Sequence, residues 1–116
     1  MNITRTNTIL YCEHWRKTVT FYREVLKLSV ATEKDWFVEF RLTGAAMLSL
    51  ADRSRATIDT ARGEGITISL RVGDVDEARN TLERRGGVPG AMRSIWGSRA
   101  FYLRDPEGTR LEFWGS

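Results

Sequence analysis

At 116 residues, with 41% hydrophobic and 28% charged side chains, the chain has room for one domain with a core of its own and not for two independent ones. Its net charge of +3 is carried mostly by arginines interspersed with acids, as in Glu83-Arg84-Arg85 and Arg104-Asp105-Pro106-Glu107, which argues against the basic stripe of a nucleic-acid binder. No apolar run has membrane-spanning length and Met1-Asn2-Ile3-Thr4-Arg5 lacks a signal peptide's hydrophobic segment. The lone Cys12 rules out an intrachain disulfide or a cysteine-built zinc site, so no membrane partner and a cytoplasmic location are expected.

In chain order, Thr8 to Cys12 reads as a strand. A helix follows from about Trp15 to Lys27, because Val19, Tyr22 and Leu26 recur on one stripe with Phe21 and Val25 beside it. Three strand-like runs come next, Leu28 to Thr32, Trp36 to Leu42 and Ala46 to Leu50, with Gly44 in the turn between the last two. The polar stretch 51–65, with two glycines near its end, reads as a linker.

Beyond it, Ile66 to Val72 is a strand. Asp74-Val75-Asp76-Glu77 has the spacing of a capping box, and the helix it starts carries Val75, Ala78 and Leu82 on one face until Gly86-Gly87 stops it. The chain to Trp96 reads as irregular, with room for one short strand. Phe101 to Trp114 then forms two strands about a turn. Asp105 can bond its own backbone there, Pro106 presets the next position and Gly108 tolerates the tight exit. On the last strand Arg110, Glu112 and Trp114 share one face, and Leu111 and Phe113 the other. A carboxylate in mid-strand is a poor choice for stability alone, which makes Glu112 the first functional candidate.

Each half therefore runs strand, helix, three strands, with units at about 6–50 and 66–114 inside a single 1–116 domain. Trp36 and Trp96 occupy matching places, and Asn7 and Thr67 stand sixty residues apart. With Asn7-Thr8-Ile9-Leu10-Tyr11, the helix segment Thr18-Val19-Thr20-Phe21-Tyr22-Arg23-Glu24-Val25-Leu26 and the closing Arg104-Asp105-Pro106-Glu107-Gly108-Thr109-Arg110-Leu111-Glu112, the chain resembles the vicinal oxygen chelate superfamily. That group includes glyoxalase I, bleomycin-resistance proteins, fosfomycin-resistance enzymes and extradiol dioxygenases. The resemblance covers nearly the whole chain. It implies a glyoxalase-like α+β fold: two tandem βαβββ units forming curled mixed sheets, helices outside and a concave cleft within. It also implies a homodimer. It leaves the chemistry open, because one scaffold hosts many activities.

In metal-dependent members of that superfamily, four equivalent strand positions supply His, Glu or Gln to a divalent ion. Here those positions fall on Asn7, about Ser49, Thr67 and Glu112, and only Glu112 is a normal ligand. The one histidine, His14, lies at the start of the first helix, in a surface or capping place. Cys12 has the opposite strand parity to Asn7 and points into the core. No metal or other cofactor is expected; the alternative is a weakly held divalent cation on Asn7, Glu39 and Glu112, a donor set suited to Mg²⁺.

Taking Asn7 and Glu112 as markers of the inward side, strand parity puts Asn7, Ile9, Tyr11, Phe37, Glu39, Arg41, Met47 and Ser49 in the cleft from the first half. The second half contributes Thr67, Ser69, Arg71, Tyr102, Arg104, Arg110, Glu112 and Trp114. The candidate ligand-binding residues are Asn7, Tyr11, Phe37, Glu39, Arg41, Ser49, Thr67, Arg71, Tyr102 and Trp114, with Glu112 the candidate catalytic group. Arg71, in mid-strand between Leu70 and Val72, either offers its planar fork to a carboxylate or phosphate or pairs with Glu112 or Glu39. Such a cleft suits a planar ligand with an anionic group. The expected function is a metal-independent small-molecule-binding protein of the glyoxalase/bleomycin-resistance type. The alternative is a lyase or dioxygenase-like enzyme using Glu112 as metal ligand or general base.

Overall fold

The structure is a computed structural model that describes residues 1–116, the side chain of residue 95 excepted. The chain divides into two compact units, Met1–Arg62 and Gly63–Ser116.

The first unit runs β1 (Thr6–Cys12), α1 (Trp15–Thr20), β2 (Val30–Lys34), β3 (Phe37–Arg41) and β4 (Ala46–Asp52). Its sheet has the order β1-β4-β3-β2, with β1 parallel to β4 and the other neighbours antiparallel. Period-2 alternation sets the faces: Leu10 and Cys12 from β1, Val38 and Phe40 from β3, and Leu48 and Leu50 from β4 are buried. α1 lies on that side, where the Trp15 indole N–H donates to the Leu50 carbonyl at 2.9 Å and Tyr22 meets Phe40 with ring centroids 6.2 Å apart. The helix expected to continue to Lys27 changes pitch instead. Phe21–Val25 is a π turn in which the Leu26 N–H reaches the Phe21 carbonyl, five residues back, at 3.2 Å. Widening by one residue keeps Tyr22 fully buried, while Val25 and Leu26 are only half-buried. β2 begins two residues later than the pattern of apolar residues indicates, and its register against β3 shifts between Val30 and Thr32.

The second unit repeats the plan with β5 (Thr67–Val72), α2 (Val75–Arg84), β6 (Arg93–Ile95), β7 (Ser98–Arg104) and β8 (Arg110–Gly115), ordered β5-β8-β7-β6. Asp74 caps α2 by accepting from the Glu77 N–H at 3.0 Å. The core side holds Val75 and Leu82 of α2 against Phe101, Leu103, Leu111 and Phe113, with the rings of Phe101 and Phe113 stacked at 5.1 Å. Arg99 of β7 pairs with Asp76 of α2, and the hydrogen bond and charge of Asp76 raise the Arg99 guanidinium above its ordinary value.

The β7–β8 turn closes as its sequence indicates. The Gly108 N–H donates to the Asp105 carbonyl at 2.9 Å, and the Asp105 carboxylate accepts from the backbone N–H groups of Glu107 and Thr109 at 2.8 and 2.9 Å.

The duplication is visible in the strand register. Ile9 sits opposite Ser49 in the parallel β1–β4 pair, and Ser69 opposite Glu112 in β5–β8; Asn7 sits opposite Met47, and Thr67 opposite Arg110. Glu39 and Tyr102 complete corresponding rows beside Ser49 and Glu112. Ser49 and Glu112 are therefore equivalent positions of the repeat, as are Asn7 and Thr67. The chain belongs to the α+β class, with a four-stranded mixed sheet and a helix in each unit.

Candidate functional site

Strand alternation that buries one side of each sheet presents the polar candidates on the other. In the first unit, the side away from α1 carries Asn7, Ile9 and Tyr11 of β1, Met47 and Ser49 of β4, and Phe37, Glu39 and Arg41 of β3. Three of the candidates are brought together. The Ser49 hydroxyl, fully buried, donates to Asn7 Oδ1 at 2.8 Å, and Asn7 Nδ2 donates to Glu39 Oε2 at 3.4 Å. The same carboxylate receives Arg5 Nη2 at 2.8 Å and the Thr32 hydroxyl at 3.3 Å. Glu39 is thus charge-neutralised and multiply bonded, and its side chain is only 13% exposed. Tyr11 and Phe37 lie in one row on either side of Ala51. Arg41 stands apart: it is exposed at the end of β3 and donates to the Val30 carbonyl at 3.0 Å.

In the second unit, Thr67, Ser69 and Arg71 of β5 face the same way as Arg110, Glu112 and Trp114 of β8 and Arg104 and Tyr102 of β7. The Ser69 hydroxyl donates to Glu112 Oε1 at 2.6 Å, a charge-assisted bond. Arg110 Nε donates to the Thr67 hydroxyl at 3.0 Å, and its guanidinium lies 4.3 Å from the centre of the Tyr102 ring. Arg93 of β6 approaches the same ring at 5.6 Å. Arg71 lies 5.3 Å from the centre of the Trp114 ring. Of the two sequence readings of Arg71, pairing with Glu112 does not occur: among the described residues Glu112 forms no ion pair, and the ion pair of Glu39 is with Arg5.

Arg93, Arg5 and Thr32 were not among the residues that sequence reasoning marked. Arg93 belongs to a three-residue strand too short to show alternation. Its one available signal was the Trp96-Gly97 turn, which pairs β6 with β7 and so fixes which way Arg93 faces. Arg5 precedes β1, where strand parity says nothing of reach.

The donor set at the four family metal positions does not fit a catalytic divalent ion. Asn7 Oδ1 already accepts from Ser49, and the Thr67 oxygen is held by the Arg110 guanidinium, a cation that opposes a second positive charge beside it. Of the four positions only Glu112 carries a carboxylate, and none carries an imidazole. Cys12 is fully buried in the core, and His14 is exposed at the start of α1, where its side chain makes no capping bond. A groove of about 340 Å³ lies between α1 and the β2–β3 turn, lined by residues such as Trp15, Arg23 and Glu33, and includes none of the candidate site residues.

Known structures share this fold. A glyoxalase/bleomycin resistance protein/dioxygenase from Nocardioides superposes with a TM-score of 0.80 at 20% identity, covering 98% of this chain and 83% of that one. A lactoylglutathione lyase from Agrobacterium tumefaciens gives 0.76 at 24% identity, covering 94% and 90%. An antibiotic binding protein from Streptomyces sp. CB03234 gives 0.77 at 18%, covering 97% and 93%. At such identities the likeness is one of fold. No curated protein matches the sequence. The family model spans residues 4–113, both units included, and the chain belongs to the Glyoxalase/Bleomycin resistance protein/Dioxygenase superfamily.

Proposed function

We propose that the protein binds a small planar anionic molecule without a metal ion. The observation that carries this reading is the set of guanidiniums held against aromatic rings on the second sheet: Arg71 at Trp114, and Arg93 and Arg110 at Tyr102. Among the described residues none of these three arginines has a carboxylate partner. A cation over a ring face gains a cation–π attraction while leaving N–H groups to meet a carboxylate or phosphate. Trp114 and Tyr102 supply flat apolar area for the body of the ligand. An antibiotic binding protein among the structural neighbours is in keeping with binding as the function of this scaffold.

The test is elemental analysis of protein purified without chelator, alongside Glu112→Ala and calorimetric titration with planar aromatic carboxylates. Saturable binding by metal-free protein supports the proposal. A near-stoichiometric metal that is lost in Glu112→Ala sinks its metal-free part.

A second reading, an enzyme of the lyase or dioxygenase kind, is favoured by one feature. Glu112 Oε1 is held by Ser69, while no hydrogen bond engages Oε2 among the described residues, which leaves that oxygen for a substrate proton. Loss of turnover in a folded Glu112→Gln protein is the expected result in that case.

The homodimer is also part of the proposal. β1 is an edge strand of its sheet with Ile9 39% exposed, and Ile3 just before it is 71% exposed. Light scattering during gel filtration is expected to give twice the chain mass of 13.3 kDa.

A further inference from the structure

Resting on the reading of the second sheet as a planar-anion site, we infer that its ligand carries two anionic groups, one at each end of a flat body. The face presents Arg71, Arg93, Arg104 and Arg110 against a single carboxylate, Glu112. Arg104 is tied to its own turn through the Gly108 carbonyl at 2.8 Å. The other three arginines divide into two groups. Arg71 stands with Trp114 at one end of β8. Arg110 and Arg93 both lie within 5.6 Å of the centre of the Tyr102 ring, with Arg110 anchored to Thr67 at the other end.

Glu112 lies between them, in the Ser69–Glu112–Tyr102 row, fixed by its 2.6 Å bond from Ser69. A carboxylate there repels a single anion placed centrally and splits the cationic field into two lobes. Four residues of β8 separate Arg110 from Trp114, or about 13 Å at ~3.3 Å per residue, and Arg93, whose backbone lies in the Trp114 row, reaches the Tyr102 ring from β6. The two guanidiniums at the Tyr102 ring outnumber the one carboxylate in its row, Glu112, which makes an anion at that end the natural counterpart. The Trp114 end has the same composition in miniature. A ligand with one anion satisfies one lobe only, whereas an aromatic dianion of that length satisfies both and lays its body past Glu112.

The experiment compares biphenyl-4-carboxylate with biphenyl-4,4′-dicarboxylate, titrated calorimetrically into the whole protein at one ionic strength. The dicarboxylate is expected to bind roughly tenfold or more tightly, the factor that one additional charge-assisted contact supplies. Arg71→Gln and Arg110→Gln are each expected to remove most of that preference while changing monocarboxylate affinity by only about threefold, since one lobe survives in each variant. Arg84→Gln, on the exposed side of α2, controls for net charge, and circular dichroism checks that each variant folds. Binding of the monocarboxylate with no gain for the dicarboxylate overturns the two-lobe inference and leaves the planar-anion reading standing. A preference that survives both arginine substitutions also overturns it. Failure of both probes to bind overturns the inference and the planar-anion reading together.

Discussion

Ser69 and Glu112 are joined side chain to side chain at 2.6 Å across the parallel β5–β8 pair, at the place in the repeat where Ile9 and Ser49 stand in the first unit. The same register position holds a carboxylate in one unit and a buried serine in the other. Ser49 bonds Asn7 and so helps hold Glu39, which Arg5 neutralises. Glu112 has a hydroxyl for its partner and arginines beyond ion-pair distance. The polar group is satisfied internally in the first unit, whereas in the second Glu112 keeps, among the described residues, the single hydrogen bond from Ser69.

Glu112→Gln is expected to fold with stability within about 1 kcal/mol of the parent, because a half-buried amide keeps the bond with the Ser69 hydroxyl. Removing the one negative charge among Arg71, Arg93 and Arg110 is expected to raise affinity for an aromatic monocarboxylate by roughly two- to tenfold, with the gain shrinking as salt screens the field. Calorimetry at two salt concentrations measures this. Weaker binding in the variant instead identifies Glu112 as a group that the ligand needs directly.

Phe101→Ala is expected to cost about 3 to 5 kcal/mol, a large share of the stability of a small domain. Phe101 is fully buried and stacked on Phe113, so truncation leaves a cavity between β7, β8 and α2 that the sheet cannot close. Urea denaturation followed by circular dichroism reads the loss. A cost below about 1 kcal/mol contradicts the packing described for the second unit.

The duplicated strand-helix-strand pattern was legible because a two-residue period is read directly from alternating polarity. Cys12 inward and Asn7 outward follow from one rule applied along β1. The Asp105 turn and the Asp74 cap were legible because each is local chemistry within four residues. What failed had non-local causes. The π turn at Phe21–Val25 accompanies the burial of Tyr22 against Phe40, a contact across eighteen positions of sequence. The two-residue offset of β2 belongs to its pairing with β3. Whether Arg71 meets an acid or an aromatic ring turns on side-chain reach over a twisted sheet, which parity alone does not decide.

Asp105→Ala is expected to destabilise by about 2 to 4 kcal/mol. The carboxylate is 5% exposed and receives the N–H groups of Glu107 and Thr109, which would be left unsatisfied in the β7–β8 turn. Asp105→Asn keeps an acceptor oxygen and is expected to recover about half the loss. Chemical denaturation of the pair measures both, and equal costs for Ala and Asn argue that the negative charge, rather than hydrogen-bond geometry, holds the turn.

Gly63→Ala tests how the start of the second unit is fastened to that same turn. Gly63 has φ of +76°, and a Cβ built there falls 2.3 Å from the carbonyl carbon of Gly108 and 2.4 Å from its oxygen. An L residue in that backbone region carries a penalty of about 1 kcal/mol, and the collision is with backbone, which has no rotamer to yield. Relief therefore requires moving the chain at Gly63 or the Asp105–Gly108 turn, and the expected cost is about 2 kcal/mol or more. Gly44→Ala provides the contrast, since a Cβ there meets nothing within 4 Å and the backbone lies outside the positive-φ region. Gly44→Ala is expected to stay within about 0.5 kcal/mol of the parent. Thermal melts of the two variants side by side separate the effect of close backbone approach from the general effect of adding a methyl group. Equal melting temperatures reject the contact between Gly63 and Gly108 as a fastening.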